Sequence, residues 1–389
     1  MAAKDSCAIR HYFDWAASAP FEDSIINQIN NSRLFGNPSS QHGEGKAAKL
    51  ALEQARSRCA AVLNVPPETL FFTSGGTESN SIALFSNLVK KGQGRIISSA
   101  AEHSSVREGI ETLEKMGKPT GRIAVDSDGR VTPDILAKTL AKYDGVRFAS
   151  CMSVNNETGA ITDIASLKDL IRNHSGAPVH LHCDLVQAVG KIPVDIPGWE
   201  IDSASISAHK IGGPRGIGLL YLRRPSSEVF YSGGGQENGV RGGTENTQGA
   251  LCLASCLEKY AVAETVKAEY SRAKARWDKL ITSLAAFERC TFIPRSRAGA
   301  QDGFSPYILQ AAFKNIPGEV MARALDDLGF AVSTGSACSS SSPERPVLLA
   351  MGVDEKLRIE GIRISQGYST TDEEIELLVE AVAEVLKFL

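Results

Sequence analysis

The stretch SASISAHKIGGPRG carries a lysine, Lys210, shortly after an apolar strand pattern that ends at Ser207. Open α/β folds bind ligands at the carboxyl ends of their strands, and a lysine at that edge can form a Schiff base with an aldehyde cofactor. An ordinary surface lysine is the alternative, and the spacing of this one stretch does not decide between the two.

A candidate anion site comes earlier in the chain, in FFTSGGTESN. A strand is predicted to end at Thr73, two glycines follow, and a helix is predicted to begin near Thr77. The N–H groups of a helix start attract anions, and the Thr77 hydroxyl adds a further donor. Such a strand–glycine–helix turn is equally compatible with a purely structural role.

Further polar residues follow other predicted strands. In HLHCDLVQ, Asp184 follows the strand Val179–Cys183, and Gln187 lies three residues further on. A carboxylate there can keep a pyridinium nitrogen protonated, and an amide beside it can bond a ring oxygen. His103, in AEHSSV, could stack on a flat ring, and Asn156, in SVNNETG, could reach its oxygen. A helix cap, a surface amide, a structural histidine and a turn asparagine are the respective alternatives.

The chain has eight cysteines, and its length without a secretion signal favours buried thiols over a disulfide framework. His180, His182 and Cys183 offer a metal-binding alternative, although strand alternation points the Cys183 side chain away from both histidines. Cys338 lies in STGSACSSSS, a run of small residues without an apolar period, which predicts an exposed loop.

Short apolar runs alternate with helical periods up to about residue 250, which predicts an α/β fold with a mostly parallel sheet. Helices are expected to cover both faces of this sheet. Its predicted strands are Leu70–Thr73, Arg95–Ser98, Val146–Met152, Val179–Cys183, Ala204–Ser207 and Ile217–Leu222.

After about residue 255 the pattern changes to charged helical sequence, two strands and further helices, which predicts a smaller α+β domain. The last helix is predicted to open with a capping box formed by Thr370 and Glu373. We expect a large domain of residues 17–257 and a small domain of residues 1–16 and 258–389.

The charge of the chain is nearly balanced, with 42 lysines and arginines against 45 aspartates and glutamates. It therefore gives no long-range field for nucleic acid or a membrane surface. The segment MAAKDSCAIRHYFDW lacks the apolar core of a signal peptide, and no apolar run approaches the roughly 18 residues of a membrane span. We therefore expect a cytoplasmic protein.

Taken together, the motifs resemble those of the cysteine desulfurases, class V, fold-type I enzymes that depend on pyridoxal 5'-phosphate. The resemblance runs nearly end to end along the chain. It is carried by YFDWAASAP, NPSSQHGEGKAA, FTSGGTES, AEHSSV, NNETG, CDLVQAVGKIPVD, SISAHKIGGPRGIGLLY, GGGQENGVRGGTEN, STGSACSS and IRISQGYSTTDEEI. It implies a seven-stranded cofactor-binding domain, a small C-terminal domain and a homodimer.

The resemblance also implies roles for the cofactor-binding residues. Lys210 resembles the lysine that binds the cofactor aldehyde covalently, and His103 resembles a histidine that stacks on the ring and is a candidate acid–base group. Asp184 matches the partner of the pyridinium nitrogen, and Asn156 and Gln187 match residues near the ring oxygen. The implied phosphate-binding residues are Gly76, Thr77, Ser207 and His209.

Three further residues are implied to act beyond the cofactor ring. Thr244, in RGGTEN, matches a threonine that reaches the phosphate of the partner subunit. Arg363, in IRIS, matches the arginine that grips the substrate carboxylate, with Asn156 as a second substrate-binding residue. Cys338 matches the cysteine that attacks the substrate sulfur and becomes a persulfide. The implied reaction converts L-cysteine to L-alanine and passes sulfur to an acceptor such as an iron–sulfur scaffold or a tRNA-thiolation protein.

The sequence departs from the family pattern in two places. The segment Pro343–Met351 is short, which leaves the acceptor open, and Gly243 stands in RGGTEN where alanine is expected. Alternative enzymes on the same scaffold are a selenocysteine lyase and a class V aminotransferase, of which the aminotransferase does not need Cys338. A non-catalytic sulfur-handling partner is disfavoured, because Lys210, Asp184 and Cys338 are all present.

Overall fold

The computed structural model describes residues 10–89, 94–174, 176, 178–225, 230–231, 233–299, 302–335 and 345–389. The α-helices are Asp23–Asn31 (α1), Gly43–Leu63 (α2), Gly76–Phe85 (α3), Ser104–Lys115 (α4), Pro133–Lys142 (α5), Ile164–Asn173 (α6), Ile196–Trp199 (α7), Thr247–Tyr260 (α8), Ala263–Ala285 (α9), Gly318–Asp327 (α10), Pro346–Ala350 (α11), Glu355–Glu360 (α12) and Asp372–Phe388 (α13). The strands are His11–Tyr12 (β1), Leu70–Thr73 (β2), Arg95–Ser99 (β3), Thr120–Ile123 (β4), Val146–Ser150 (β5), His180–Asp184 (β6), Ser203–Ser207 (β7), Gly218–Leu222 (β8), Cys290–Ile293 (β9), Ile308–Phe313 (β10), Phe330–Ala331 (β11) and Gly361–Ser365 (β12). None of the described helices combines the length and the apolar composition of a membrane span.

The large sheet contains seven of the described strands, in the order β2-β8-β7-β6-β5-β3-β4. Strand β8 runs antiparallel to its two neighbours, and the other four pairings are parallel. Strands β5 to β7 are buried along nearly their whole length, as expected for a parallel sheet covered on both faces by helices. The predicted α/β class with a mostly parallel seven-stranded sheet is confirmed.

Six strands of this sheet lie within two residues of their predicted bounds. The seventh, β4, is absent from the predictions because it is a short edge strand in which only alternate residues are buried. Its four residues therefore give little apolar signal in the sequence.

The second sheet is antiparallel, in the order β12-β10-β9, and helices α9, α10 and α13 pack on it. Its core contains Trp277, Met321 and Leu378, each fully buried. Phe13 lies in this core, whereas Ala16 lies in the core of the large sheet. A change of core between these two residues supports the division of the N-terminal segment after residue 16, which stays a prediction.

Helix α13 begins with a capping box, but not with the predicted residues. The box is formed by Thr371 and Glu374 rather than by Thr370 and Glu373. The Thr370 hydroxyl instead accepts the N–H of Gly367 at 3.0 Å, so it belongs to the preceding turn. The prediction of a box at Thr370 is therefore wrong by one residue.

Candidate active site

A cavity of about 210 Å³ is lined by residues that follow the carboxyl ends of β2, β3, β5, β6 and β7. These strands run parallel to one another, so their ends meet at one edge of the sheet. Thr244 does not line the cavity, and Cys338 lies outside the described residues. The other ten predicted site residues all line it: Gly76, Thr77, His103, Asn156, Asp184, Gln187, Ser207, His209, Lys210 and Arg363.

Lys210 ends a short 3-10 helix that follows β7 directly. Its Nζ donates to the carbonyl oxygens of Ala16 at 2.6 Å and Ala17 at 2.7 Å. The N-terminal segment therefore forms one wall of the cavity and holds the lysine amine there. No sequence pattern pointed to this use of two alanine carbonyl groups.

Asp184 is the last residue of β6 and is buried. Its Oδ2 accepts from Asn80 Nδ2 at 2.8 Å, and its Oδ1 accepts from the N–H of Val186 at 2.9 Å. Asn80 is in turn held through Oδ1 by His182 Nε2 at 2.9 Å. Burial lowers the pKa of His182 to about 3, with His180 adding to the effect, so the ring is neutral at pH 7. The carboxylate is thus oriented by two donors, neither of which was predicted from the sequence.

The metal-binding alternative at His180, His182 and Cys183 has no support in the described part of the chain, where no group of three potential ligands could hold a metal ion. Both histidine rings contact the hydroxyl of Ser203, at 2.7 Å and 2.8 Å. These contacts give the two histidines a structural role beneath the cavity.

His103 is the N-cap of α4, and its Nδ1 accepts the N–H of Ser105 at 3.2 Å. Burial lowers the pKa of His103, which the charge of Asp184 opposes and the charge of Lys210 reinforces. The ring is therefore neutral near pH 7, and because Nδ1 accepts a hydrogen bond, the ring proton lies on Nε2. His103 thus offers the cavity a flat, uncharged ring.

Arg363 reaches the cavity from β12 of the second sheet and is buried. Its guanidinium donates to the carbonyl oxygen of Asn156 at 2.9 Å and to Asp14 Oδ1 at 2.7 Å. Its Nε has no hydrogen-bond partner among the described residues, and neither has Asn156 Oδ1. A fixed cation with an unused donor, beside an unused acceptor, is suited to bind a small polar ligand.

Two buried carboxyl groups and an arginine in the cavity were not predicted. Burial raises the pKa of Glu102 to about 8, with Asp184 adding to the effect, and that of Glu157 to about 6, against the charge of Arg363. Glu102 Oε1 accepts from the Ser150 hydroxyl at 2.9 Å. The third residue is Arg107. Their position in the sequence could have indicated the two acids, because Glu102 directly precedes His103 and Glu157 directly follows Asn156.

Thr244 is exposed and lies in the chain segment before α8. The neighbouring Gly243 has a φ of 98°, which side-chain-bearing residues rarely adopt. This backbone conformation accounts for glycine at a position where the resemblance led us to expect alanine.

The cavity residues fit pyridoxal 5'-phosphate. Helix α3 begins at Gly76 without a side-chain cap, so its first N–H groups are available to an anion beside Thr77. A Cβ on Gly76 would lie 2.6 Å from Val186 Cγ2, so the wall has no room for a larger residue there. With the amine of Lys210 and the carboxylate of Asp184, this set defines a fold-type I, pyridoxal-phosphate-dependent enzyme.

Comparison with known proteins agrees with that class. The family model described as aminotransferase class-V matches residues 11–378. The cysteine desulfurase IscS of Dictyoglomus turgidum is 35% identical, over 97% of this chain and 95% of that protein. The mitochondrial cysteine desulfurase of Eremothecium gossypii is also 35% identical, over 97% of this chain and 76% of that protein. A solved NifS-like protein superposes with a TM-score of 0.88 at 32% identity, covering 98% of this chain and 100% of that one.

The chain therefore belongs to the cysteine desulfurase family of class V aminotransferase-fold enzymes, which use pyridoxal 5'-phosphate.

The Arg363→Ala variant is expected to raise KM for L-cysteine by about a hundredfold, because it removes a charged donor to the substrate carboxylate. Steady-state kinetics of the holoenzyme measure the effect. Arg295→Ala, which removes an exposed arginine that does not line the cavity, should leave KM unchanged. A loss confined to kcat, with KM unaltered, would contradict a role for Arg363 in substrate binding.

Glu102 should make the stability of the apoprotein depend on pH. Its pKa is about 8 in the folded protein against 4.5 as the ordinary value, so the folded state keeps a proton that the unfolded chain releases. Stability from this group is therefore present below about pH 5 and is lost as pH rises to about 8. We expect Glu102→Gln, relative to wild type, to gain about 2–3 kcal/mol in free energy of unfolding between pH 6 and pH 9.

Urea denaturation of both apoproteins at the two pH values measures this difference. Glu108→Gln, which alters an exposed carboxylate on α4, is the matched control and should follow wild type. If wild type and Glu102→Gln had parallel stability profiles, Glu102 would be ionised in the folded protein at both pH values.

Proposed function

We propose that the protein takes sulfur from L-cysteine, releases L-alanine and carries the sulfur as a persulfide on Cys338. The observation that carries this proposal is that one cavity contains Lys210, Asp184 and Arg363 together. These residues supply an amine for an aldehyde cofactor, a carboxylate for its ring nitrogen and a cation for a substrate carboxylate.

Pyridoxal phosphate, when bound, supplies an electron sink that stabilises negative charge at the substrate Cα. Lys210 holds the cofactor aldehyde and moves the proton at Cα. Asp184, oriented by Asn80, would hold the ring nitrogen in its protonated form. His103 would lie against the ring as a neutral imidazole, with its Nε2–H as a candidate proton donor.

The phosphate would be held at the start of α3 and by the residues after β7. Gly76 and Thr77 offer N–H and hydroxyl donors. Ser207, the last residue of β7, and His209, two residues further on, line the same cavity. Burial lowers the pKa of His209 to about 3, with the charge of Lys210 adding to the effect, so the ring is neutral at pH 7 before an anion binds.

The sulfur-transfer step assigns a nucleophile to Cys338. Its thiolate attacks the sulfur of the substrate, and an S–S bond forms as the Cβ–S bond breaks. The electron pair of that broken bond stays on Cβ, which takes up a proton and becomes the methyl group of alanine. L-cysteine and one enzyme thiol therefore give L-alanine and one enzyme persulfide, with no external oxidant or reductant.

The acceptor that we favour is an iron–sulfur scaffold protein, because the relatives with 35% identity include an IscS. A tRNA-thiolation protein is the alternative acceptor. We further propose a cytoplasmic homodimer in which the exposed Thr244 contacts the phosphate of the partner subunit. Sedimentation of the holoenzyme tests the dimer, and sulfur transfer from the loaded enzyme to each purified acceptor tests the preference.

The test of the activity is to incubate the holoenzyme with L-cysteine, quantify alanine and map persulfide by mass spectrometry. Equal amounts of alanine and of persulfide on Cys338 in a single turnover are expected. Selenocysteine turnover far above cysteine turnover would identify a selenocysteine lyase instead. Conversion of the cofactor to pyridoxamine phosphate with a keto acid product would identify an aminotransferase.

A further inference from the structure

Lys191 is a buried lysine to which the proposed mechanism gives no role. It lies in the segment after β6 and is 2% exposed. Its Nζ donates to Gln187 Oε1 at 2.8 Å, and Gln187 Nε2 donates to the carbonyl oxygen of Ala16 at 2.9 Å. That carbonyl oxygen also accepts from Lys210 at 2.6 Å. A continuous hydrogen-bonded path therefore joins the two lysines through the amide of Gln187.

The burial of Lys191 is energetically unfavourable. No carboxylate within ion-pair distance of its Nζ occurs among the described residues. Burial lowers the pKa of Lys191 to about 7, and the charges of Lys210 and Arg363 add to the effect. An apolar side chain of similar length would fill the space without that cost. The amine therefore contributes something other than packing.

What the amine contributes follows from the orientation of the Gln187 amide. The Lys191 amine donates to the amide oxygen, which is the one orientation open to the protonated form because an ammonium group cannot accept a hydrogen bond. The NH₂ group is then directed to the Ala16 carbonyl, and only one of its two N–H bonds is used there. Gln187 lines the cavity, and its second N–H has no acceptor in the described part of the chain, so it is available to a ligand. Lys191 contacts the oxygen of the Gln187 amide and the Ala16 carbonyl contacts its NH₂ group, so both contacts favour the same orientation of the amide.

We propose that Lys191 is a positioning residue that holds Gln187 so that its amide donates to the ring oxygen of the cofactor. This inference rests on the proposed function, with Gln187 near the ring oxygen as the family resemblance implies. The ring oxygen bears more negative charge after the neighbouring imine proton dissociates, so a donor to it favours dissociation. Loss of that donor must therefore move the pH midpoint of the visible absorption band upwards.

The experiment is a pH titration of the visible band of the holoenzyme with Lys191→Met, Gln187→Leu and the double variant. We expect Lys191→Met to raise the midpoint by about one pH unit and to weaken pyridoxal phosphate binding about fivefold, the size of one hydrogen bond. Gln187→Leu alone should raise the midpoint similarly. In the Gln187→Leu background, Lys191→Met should add almost nothing, because it acts through the amide.

Comparing the two single variants with the double variant separates the positioning of Gln187 from a direct effect of the Lys191 charge on the cofactor. An equal shift in both backgrounds would show that the charge of Lys191 acts on the cofactor without Gln187, and would overturn the proposal. An unmoved midpoint in Gln187→Leu would overturn it as well, whether or not the Lys191 variants fold. Lys191→Gln, which can face Gln187 with either end of its amide, is the second variant and should also raise the midpoint.

Lys168→Met is the matched control, because Lys168 is buried but pairs with Asp202 away from the cavity. It should lower the melting temperature of the apoprotein without moving the absorption midpoint. If wild type formed no visible band with pyridoxal phosphate, the proposed function itself would fail. The role of Lys191 fails separately, if wild type has the band and the variants leave its pH midpoint unchanged.

Discussion

Replacing Lys210 with alanine is expected to abolish the visible absorption of the cofactor-loaded protein and to lower the desulfuration rate by about 10⁴-fold. The variant loses both the amine that holds the cofactor aldehyde and the base that moves the proton at Cα. The variant also loses the hydrogen bonds that the amine donates to the backbone carbonyl groups of Ala16 and Ala17.

Absorbance after addition of pyridoxal phosphate and alanine release from L-cysteine measure the two losses. The control is Lys274→Ala, which alters an exposed lysine paired with Asp302 and should behave as wild type. A Lys210→Ala protein that kept the visible band after removal of free cofactor would show that another amine binds the aldehyde.

Cys338→Ala is expected to keep the cofactor and its absorption but to stop catalytic release of alanine, with a loss of about a thousandfold or more. The reason is that the variant binds the substrate normally yet has no thiolate to accept the sulfur. Because the thiolate is the reactive form, the wild-type rate should rise with pH through the pKa of this thiol.

Alanine release, the visible spectrum and persulfide mapping distinguish this outcome from misfolding. Cys290→Ala is the matched control, because Cys290 is a partly buried thiol whose pKa burial raises to about 12. It should form persulfide on Cys338 and release alanine at the wild-type rate. Full desulfuration by Cys338→Ala would mean that the sulfur leaves by another route.

The positions of the main site residues followed from local patterns. Gly76, Asp184 and Lys210 each lie at or just after a strand that the apolar runs predicted within two residues. Parallel strands bring such ends together, so the pattern also predicted that these residues share one edge. Burial and hydrogen bonding then gave each residue the surroundings that its chemistry needs.

The supporting residues did not follow from local patterns, because their partners are distant in the sequence. Asn80 orients Asp184 across 104 positions, and Asp14 holds Arg363 across 349. Asp14 lies in the YFDWAASAP motif and Asn80 ends FFTSGGTESN, but neither stretch indicates which distant side chain its polar residue contacts. Only the packing of the elements that carry them decides which polar groups meet.

Residue order and apolar period were therefore enough to predict the class of fold, the family and the residues that end the parallel strands. The pKa shifts of Glu102, His103 and Lys191 and the orientation of the Gln187 amide could be learned only from the folded protein. Desolvation and hydrogen-bond direction depend on what surrounds a group in space, and a linear pattern does not contain those surroundings.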